Sequence, residues 1–212
     1  MMYVFTLLFL GLMLTEQVVK AQATEYGEFQ LVKRSGDISL YERWIDIPGE
    51  EEKQAREVRS IFYYKNSIHA GLRLLKDQSM GMKWQNHVSE FKVYPQRDTS
   101  VWYEYSYHDV PWPVSDQDHF MEYRISSCDR GQMLISFKSK VNKELAPERK
   151  GVTRMMLTGS WLLEQMDTGK VKVTYTIFSM PLDIPRMLTD PIVRSNMVTT
   201  IEDFVSLIEK PR

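Results

Sequence analysis

The fold is decided by residues 190–209, which read DPIVRSNMVTTIEDFVSLIE. Pro191 suits the first position of a helix, and Asp190 suits its cap, because a carboxylate there accepts backbone N–H groups and favours the positive end of the helix dipole. Apolar residues then recur at steps of four, four, three and four: Val193, Met197, Ile201, Phe204 and Ile208. This stripe predicts a long C-terminal helix with one apolar face. Because full burial of each large side chain is worth roughly 1.5–3 kcal/mol, the face must pack on something apolar.

The segments before this helix predict a β-sheet that supplies that surface. Two strands, Ile38–Trp44 and Arg56–Tyr64, come first, and a helix follows that Asn66-Ser67 can cap. Turn residues then separate six candidate strands: Asn86–Tyr94, Val101–Asp109, His119–Ser127, Gln132–Val141, Val152–Glu164 and Lys170–Ser179. We therefore predict an α+β fold, in which an antiparallel sheet wraps around the long C-terminal helix and short helices follow the early strands.

The composition excludes several classes of protein. The 212 residues include 27 Lys and Arg against 28 Asp and Glu, a formal net charge of −1, with 43% hydrophobic and 26% charged residues. These proportions are ordinary for a globular protein and exclude intrinsic disorder and a protein with many membrane spans. The absence of surplus positive charge argues against a nucleic-acid partner.

The N-terminal segment is typical of an export signal. The run Tyr3–Leu14 is mostly apolar but shorter than the roughly 20 residues that span a bilayer, and Ala21-Gln22-Ala23 fits a signal-peptidase site. We expect cleavage after Ala23, an exported (periplasmic or secreted) protein, and one domain over residues 24–212. An uncleaved anchor is the alternative, although Glu16 and Lys20 interrupt it. The single cysteine, Cys128, excludes an intramolecular disulfide.

A long helix laid across a curved sheet leaves room for a cavity beneath it. Strand alternation places Tyr103, Tyr105 and Tyr107 on one face of their strand and Glu104 on the other. We expect the tyrosines to face the cavity, with the outer face as the alternative. The candidate lining residues are Trp84, Tyr103, Tyr105, Met121, Tyr123, Met156, Met180, Met197 and Ile201. Ordinary core packing would produce the same pattern of Met and aromatic residues.

Several segments together resemble the START domain, the lipid-transfer module of the helix-grip (Bet v 1-like) superfamily. Residues 109–118, DVPWPVSDQD, resemble the family's Pro-rich turn and its Ser-x-Arg-Asp entry to the next strand. Asp77 followed by Trp84 resembles an Asp…Trp pattern that comes after the family's early helices. The strand that opens with Gly151-Val152-Thr153-Arg154, and Ile184-Pro185 before the last helix, also resemble family features. The resemblance covers essentially the whole chain after Ala23.

The resemblance implies a helix-grip fold that binds a lipid or other apolar small molecule between the sheet and the C-terminal helix. It also implies entry of the ligand past the C-terminal helix. We expect transient membrane contact and no cofactor or metal. We expect a monomer. One departure is Gln117, which stands where the family usually has Arg, so a salt link made there is missing or replaced.

Some family members contain an acid–base pair within the cavity. Glu104 falls at a position that resembles the acid, and Arg124 is the nearest basic residue, although counting without a gap puts Tyr123 at the basic position. A β-bulge would reconcile the two counts. The alternative is that both charges lie on the solvated face of the sheet.

Two other classes of function remain open from the sequence. Polyketide cyclases and aromatases share the helix-grip fold, and an inward-facing Glu104, Arg124 or His108 would favour such an enzyme. No nucleophile or phosphate-binding motif is present, and the polar stretches His108-Asp109 and Asp116–His119 are read as turns rather than as a metal site. A protein-interaction domain with a filled interior is the third alternative.

Overall fold

The computed structural model describes residues 27–47, 49–112, 114–180 and 186–210, and the side chains of residues 50–52 are not among those described. The predicted signal peptide, Pro113 and the Ile184-Pro185 motif lie outside these residues.

Within the described residues, ten strands form one sheet. They are β1 Gln30–Ser35, β2 Ile38–Ile47, β3 Glu50–Lys65, β4 Val88–Pro95, β5 Val101–His108, β6 Gln117–Asp129, β7 Gln132–Ser139, β8 Thr153–Arg154, β9 Leu157–Gln165 and β10 Lys170–Ser179. Their order in the sheet is β1-β2-β3-β10-β9-β7-β6-β5-β4, with antiparallel neighbours throughout, and the short β8 pairs in parallel with β6. The meander predicted from turn residues is confirmed; β1 was not predicted, and the predicted strand Val152–Glu164 is divided between β8 and β9.

Two short helices follow the early strands. Helix α1, Ile68–Leu75, is capped as predicted by Ser67, whose Oγ accepts the Ala70 N–H at 3.3 Å. Helix α2, Gly81–Trp84, packs so closely on β4 that a Cβ atom on Gly81 would lie 2.0 Å from the Phe91 ring. The glycine is therefore required for the approach of this helix to the sheet.

The C-terminal helix α3, Arg186–Glu209, is longer than predicted. It begins before Pro191, which lies inside the helix, so the prediction that Asp190 is the cap was wrong. Asp190 instead makes ion pairs with Arg56 on β3, at 3.4 Å, and with Arg194 one turn further along α3, at 3.3 Å. These two arginines hold the helix in register across Pro191, where one intrahelical hydrogen bond is missing.

The main core lies where the second half of α3 meets the sheet and α1. Val198, Ile201, Phe204 and Ile208 are buried there. The Phe204 ring makes edge contacts with Phe62, at a centroid distance of 6.2 Å, and with Trp84, at 5.2 Å. The apolar face predicted from the sequence therefore packs on the sheet, as an α+β helix-grip arrangement requires.

The described part of the chain contains no helix that is both long and apolar enough to cross a bilayer. Cys128 is exposed near the end of β6.

Candidate functional site

A cavity of about 690 Å³ lies between the sheet and the first half of α3. The helix contributes residues that face the sheet, among them Thr189, Val193, Asn196 and Met197. The sheet contributes residues from β2, β3, β5, β6, β8, β9 and β10. Side chains pack tightly beneath the second half of α3, but beneath the first half they leave a space of the size that small-molecule sites occupy.

The mouth of the cavity lies at one end of the sheet, where several strands begin or end together. Trp44 is near the end of β2, Met156 precedes β9, Met180 follows β10, and Arg186 opens α3. The guanidinium carbon of Arg186 lies 3.2 Å from the centroid of the Trp44 ring. A cation on an aromatic face closes one side of this mouth.

A network of four charged side chains fastens the first half of α3 beside the cavity. The buried Glu42 carboxylate on β2 accepts hydrogen bonds from Arg56 and from Arg194, whose Nη2 lies 2.8 Å from Oε2. These contacts outweigh the effect of burial and lower the pKa of Glu42. Asp190 completes the network through both arginines. The carboxylate is therefore charged at neutral pH and ties helix to sheet.

The floor of the cavity is aromatic. The Trp161 ring stacks on Tyr175 with centroids 4.0 Å apart and an interplanar angle of 20°, and it meets Trp84 edge-on at 6.3 Å. Tyr123 and Met121 from β6 continue this surface. A floor of rings and thioethers offers an apolar, adaptable contact surface to a ligand.

One buried polar cluster interrupts this apolar lining. Glu104 on β5 points into the cavity, and its Oε1 lies 3.1 Å from Nε2 of His119 on β6. The ring of His108, at the end of β5, has its centroid 5.1 Å from that of His119. Nδ1 of His119 and Nε2 of His108 are buried without a hydrogen-bond partner among the described residues.

Burial sets the charge of this cluster. It raises the pKa of the Glu104 carboxyl to about 8, although hydrogen bonds from Gln85 and Tyr123 act in the opposite direction. Burial also lowers the pKa of His119 to about 4 and, with repulsion from His119, that of His108 to about 3. All three side chains are therefore uncharged at neutral pH.

Six predicted lining residues do line the cavity: Trp84, Met121, Tyr123, Met156, Met180 and Met197. Ile201 does not, because it is fully buried in the main core beneath the second half of α3. Contact between the six lining residues and a ligand remains a prediction.

The prediction that Tyr103 and Tyr105 face the cavity was wrong. With Phe120 they form a separate cluster on the opposite face of β5 and β6, where the Tyr103 and Phe120 rings stack 5.5 Å apart. The Arg149 guanidinium covers Tyr105 and binds Glu90 through two hydrogen bonds. A loop thus covers these tyrosines on the face of the sheet that is turned away from α3.

The predicted Glu104–Arg124 pair was also wrong, although Glu104 does face the cavity. Arg124 is exposed on the outer face, 3.9 Å from Asp98. The pairing of β5 with β6 has no irregularity, and the bulge in β6 falls after Ile125, so no bulge turns Arg124 inward. The partner of Glu104 is His119. Strand alternation alone puts His119 on the same face as Met121 and Tyr123, but only the register places it beside Glu104.

The two acidic residues Asp116 and Asp118 have structural hydrogen-bond partners. Asp118 accepts two hydrogen bonds from Arg154, at 2.6 and 2.9 Å, and one from the Tyr105 hydroxyl. Asp116 accepts one from the Tyr107 hydroxyl at 2.8 Å. Gln117 lies between these two acidic residues in the sequence and lines the cavity. Among the described residues there is no group of three or more His, Cys, Asp or Glu side chains that could hold a metal ion.

Known proteins that are similar to this chain match it over most of its length. No protein-family model matches the chain. A curated relative, an uncharacterised protein of Pseudomonas aeruginosa, is 27% identical over 185 residues, which make up 86% of this chain and 88% of the relative.

Solved structures superpose over most of the chain. A STAR-related lipid transfer protein of Xanthomonas axonopodis has a TM-score of 0.71 at 23% identity, covering 87% of this chain and 100% of that one. Human StAR-related lipid transfer protein 5 has a TM-score of 0.70 at 11% identity, covering 92% of both chains. The Zhui aromatase/cyclase of a Streptomyces species reaches 0.53 at 11% identity, over 73% of this chain and 94% of that one. The chain therefore has the helix-grip fold of the START domains, an antiparallel sheet closed by a long C-terminal helix.

Proposed function

We propose that this protein binds one lipid or other apolar small molecule in the cavity beneath the first half of α3. The observation that carries the proposal is the cavity itself: about 690 Å³, floored by Trp84, Trp161 and Tyr123 and roofed by Val193 and Met197. At roughly 25 cal/mol per Å² of apolar surface, hiding a few hundred square ångströms of a ligand supplies useful affinity. A domain with a filled interior, the interaction-module alternative, would have no such space.

The size of the cavity limits the ligand. It has space for roughly twenty groups the size of a water molecule, which occupies about 30 Å³ in the liquid. One acyl chain or one compact ring system fits that space. A second acyl chain would have to extend through the mouth between Trp44 and Met180.

The test is native mass spectrometry of the purified protein, followed by organic extraction and by uptake from a broad lipid panel. We expect one ligand per chain, and Val193→Trp, which fills the space under the helix, should reduce uptake. Val141→Trp is the matched control, because Val141 is exposed on a loop. A protein that emerges bare and takes up no member of the panel would refute ligand binding.

Exposed apolar residues near the mouth support transient contact with a membrane during loading. Met156 and Met180 line the mouth and are about half exposed. Met187 at the start of α3 and Trp112, in the loop that leads from β5 to β6, are 82% and 91% exposed. Such side chains insert readily at a lipid surface. Co-sedimentation with liposomes, compared between wild type and Trp112→Ser with Met187→Ser, tests this contact.

Export and a monomeric state complete the proposal. Export is supported by the apolar run Tyr3–Leu14 and by Ala21-Gln22-Ala23. N-terminal sequencing of the protein from fractionated cells should begin at Thr24, and light scattering should give the mass of one chain.

An enzyme that uses the same cavity is the second candidate function. Glu104 and His108 face inward, which is the condition that favours acid–base chemistry on a bound ligand. A carboxyl with a pKa of about 8 can donate a proton at neutral pH. Incubation of polyketide-like substrates with wild type and Glu104→Gln would reveal this activity as a product that only the wild type forms.

A further inference from the structure

Two imidazole rings that line the cavity lie close to one another, and each carries an unpaired nitrogen. His119 lies on β6 and is 4% exposed, and His108 ends the neighbouring strand β5. Their ring centroids are 5.1 Å apart and their planes are inclined by 47°. Both rings line the cavity. A single small polar group placed between rings at this separation can reach a nitrogen of each.

Each ring has a buried nitrogen with no hydrogen-bond partner among the described residues. On His119 it is Nδ1, because Nε2 is already 3.1 Å from Oε1 of Glu104. On His108 it is Nε2. Buried polar atoms are nearly always hydrogen-bonded in folded proteins, because an unmade bond leaves the cost of desolvation uncompensated. Two such atoms, on side chains that line a cavity, indicate a polar group on the ligand that reaches them when the rings turn towards it.

The charges around the rings determine what that group can be. With Glu104 protonated and both imidazoles neutral, the Glu104 hydroxyl donates to Nε2 of His119, and Nδ1 of His119 then carries the proton. His119 is thus a donor, and Nε2 of His108 is free to accept. The full charges that act on the two rings are Asp118 and Arg154, which bind each other, and the exposed Asp109 next to His108 in the chain. Nothing in the cluster balances a ligand carboxylate or ammonium.

We propose that the ligand carries an uncharged hydroxyl group that accepts a hydrogen bond from His119 Nδ1 and donates one to His108 Nε2. This inference rests on the proposed function and narrows it to a class of ligand, an apolar molecule with a hydroxyl. A hydroxyl can serve both nitrogens because it donates and accepts, whereas an ether accepts only and an alkane does neither. The apolar body would lie against Met121, Trp161 and Met197.

Matched probe pairs test the inference. Hexadecan-1-ol competes with 1-methoxyhexadecane, and a 3-hydroxysterol competes with its 3-methyl ether, at equal concentration in native mass spectrometry. On each scaffold that binds, we expect the alcohol to be preferred by about tenfold, equivalent to about 1.4 kcal/mol. His108→Phe and His119→Phe should bring the ratio close to one. His69→Phe, a matched change on the exposed face of α1, should leave it unchanged.

The wild-type ratio keeps the test independent of whether the variants fold, and His119→Gln, which retains a donor, should preserve part of the preference. Equal or stronger binding of the ethers overturns the hydroxyl inference but leaves lipid binding intact. The hydroxyl inference also falls, and lipid binding stands, if none of the four probes binds while the broad panel yields a ligand that lacks a hydroxyl. Failure of every probe and every panel lipid overturns the proposed function itself.

Discussion

The two halves of α3 are parts of one helix, but they are held by different forces. The first half, residues 186–197, covers the cavity and is fastened by polar contacts, such as Arg194 with Glu42 and Asn196 with Asn86. The second half, residues 198–209, buries Val198, Ile201, Phe204 and Ile208 in the core. The first half therefore covers the cavity, and the second half packs in the core.

The difference shows that an apolar stripe does not by itself define a core. Met197 and Ile201 are neighbours on the same face, yet Met197 lines the cavity and Ile201 is fully buried. Binding a ligand requires apolar surface that the protein does not cover itself, so the first half gives up packing energy that the second half retains. The following predictions test that division.

The largest effect should come from the second half. Phe204→Ala removes a ring that contacts Phe62 and Trp84, so the free energy of unfolding should fall by about 3–5 kcal/mol. Urea denaturation followed by tryptophan fluorescence measures this loss. Asp203→Ala, at the exposed neighbouring position, should change it by no more than about 0.5 kcal/mol. A loss below about 1 kcal/mol for Phe204→Ala would mean that this half is not docked.

In the first half the main effect should fall on the ligand. Met197→Glu places a carboxylate in the apolar lining, so lipid affinity should drop about a hundredfold, or about 2.7 kcal/mol. Stability should fall by only about 1 kcal/mol, because the side chain is half-buried. Ser195→Glu, at an exposed position of the same half that does not line the cavity, is the control. Unchanged melting and unchanged uptake in Met197→Glu would contradict the position of the helix.

The cavity beneath the first half should also make stability depend on pH. Folding keeps a proton on Glu104 up to about pH 8, whereas the unfolded chain releases it near 4.5, so this group makes stability fall as pH rises between those values. His108 and His119 act oppositely: the unfolded chain binds their protons below about 6.5, so stability rises with pH up to that value.

Together, the Glu104 carboxyl and the two imidazoles place the maximum of the free energy of unfolding near pH 6.5. From there to pH 8, we expect the free energy of unfolding to decline by at most about 1.4 kcal/mol per pH unit. Glu104→Gln should abolish that decline in denaturation curves recorded across this range. If the decline persists in Glu104→Gln, another titrating side chain causes it.

The smallest effect should come from the polar fastening. Arg194→Ala removes a partly exposed partner of Glu42 and should cost about 1 kcal/mol. Hydrogen exchange should become faster in the amides of residues 192–197 and stay unchanged in 201–208. Arg124→Ala removes an exposed ion pair on the outer face of the sheet, and it should alter hydrogen exchange in neither segment. Equal acceleration along the whole helix would show that the two halves open as one unit.

Much of the fold could be predicted, because its main signals are local. The apolar spacing in α3, the cap at Ser67 and the turn residues between strands each depend on a few neighbouring residues. Pro191 was misleading, because a proline that suits a first helical turn can also lie within a helix that tertiary contacts hold, here those of Asp190.

The site was predicted less completely, because it depends on contacts between distant segments. Alternation separated the Tyr103 face from the Glu104 face, but it gave no reason to choose which face pointed inward. The choice depends on the loop that brings Arg149 over Tyr105. His119 was missed as the partner of Glu104 because the acid–base pair of some family members suggested a basic partner, whereas burial favours an uncharged pair.

The position of Cys128 offers a practical route to these measurements. It is the single thiol of the chain and is exposed, nine residues along β6 from His119. At about 3.3 Å per residue, a dye coupled there would lie roughly 30 Å from the two imidazoles. Fluorescence transfer from that dye to a labelled lipid would report loading in real time, in the otherwise unmodified protein.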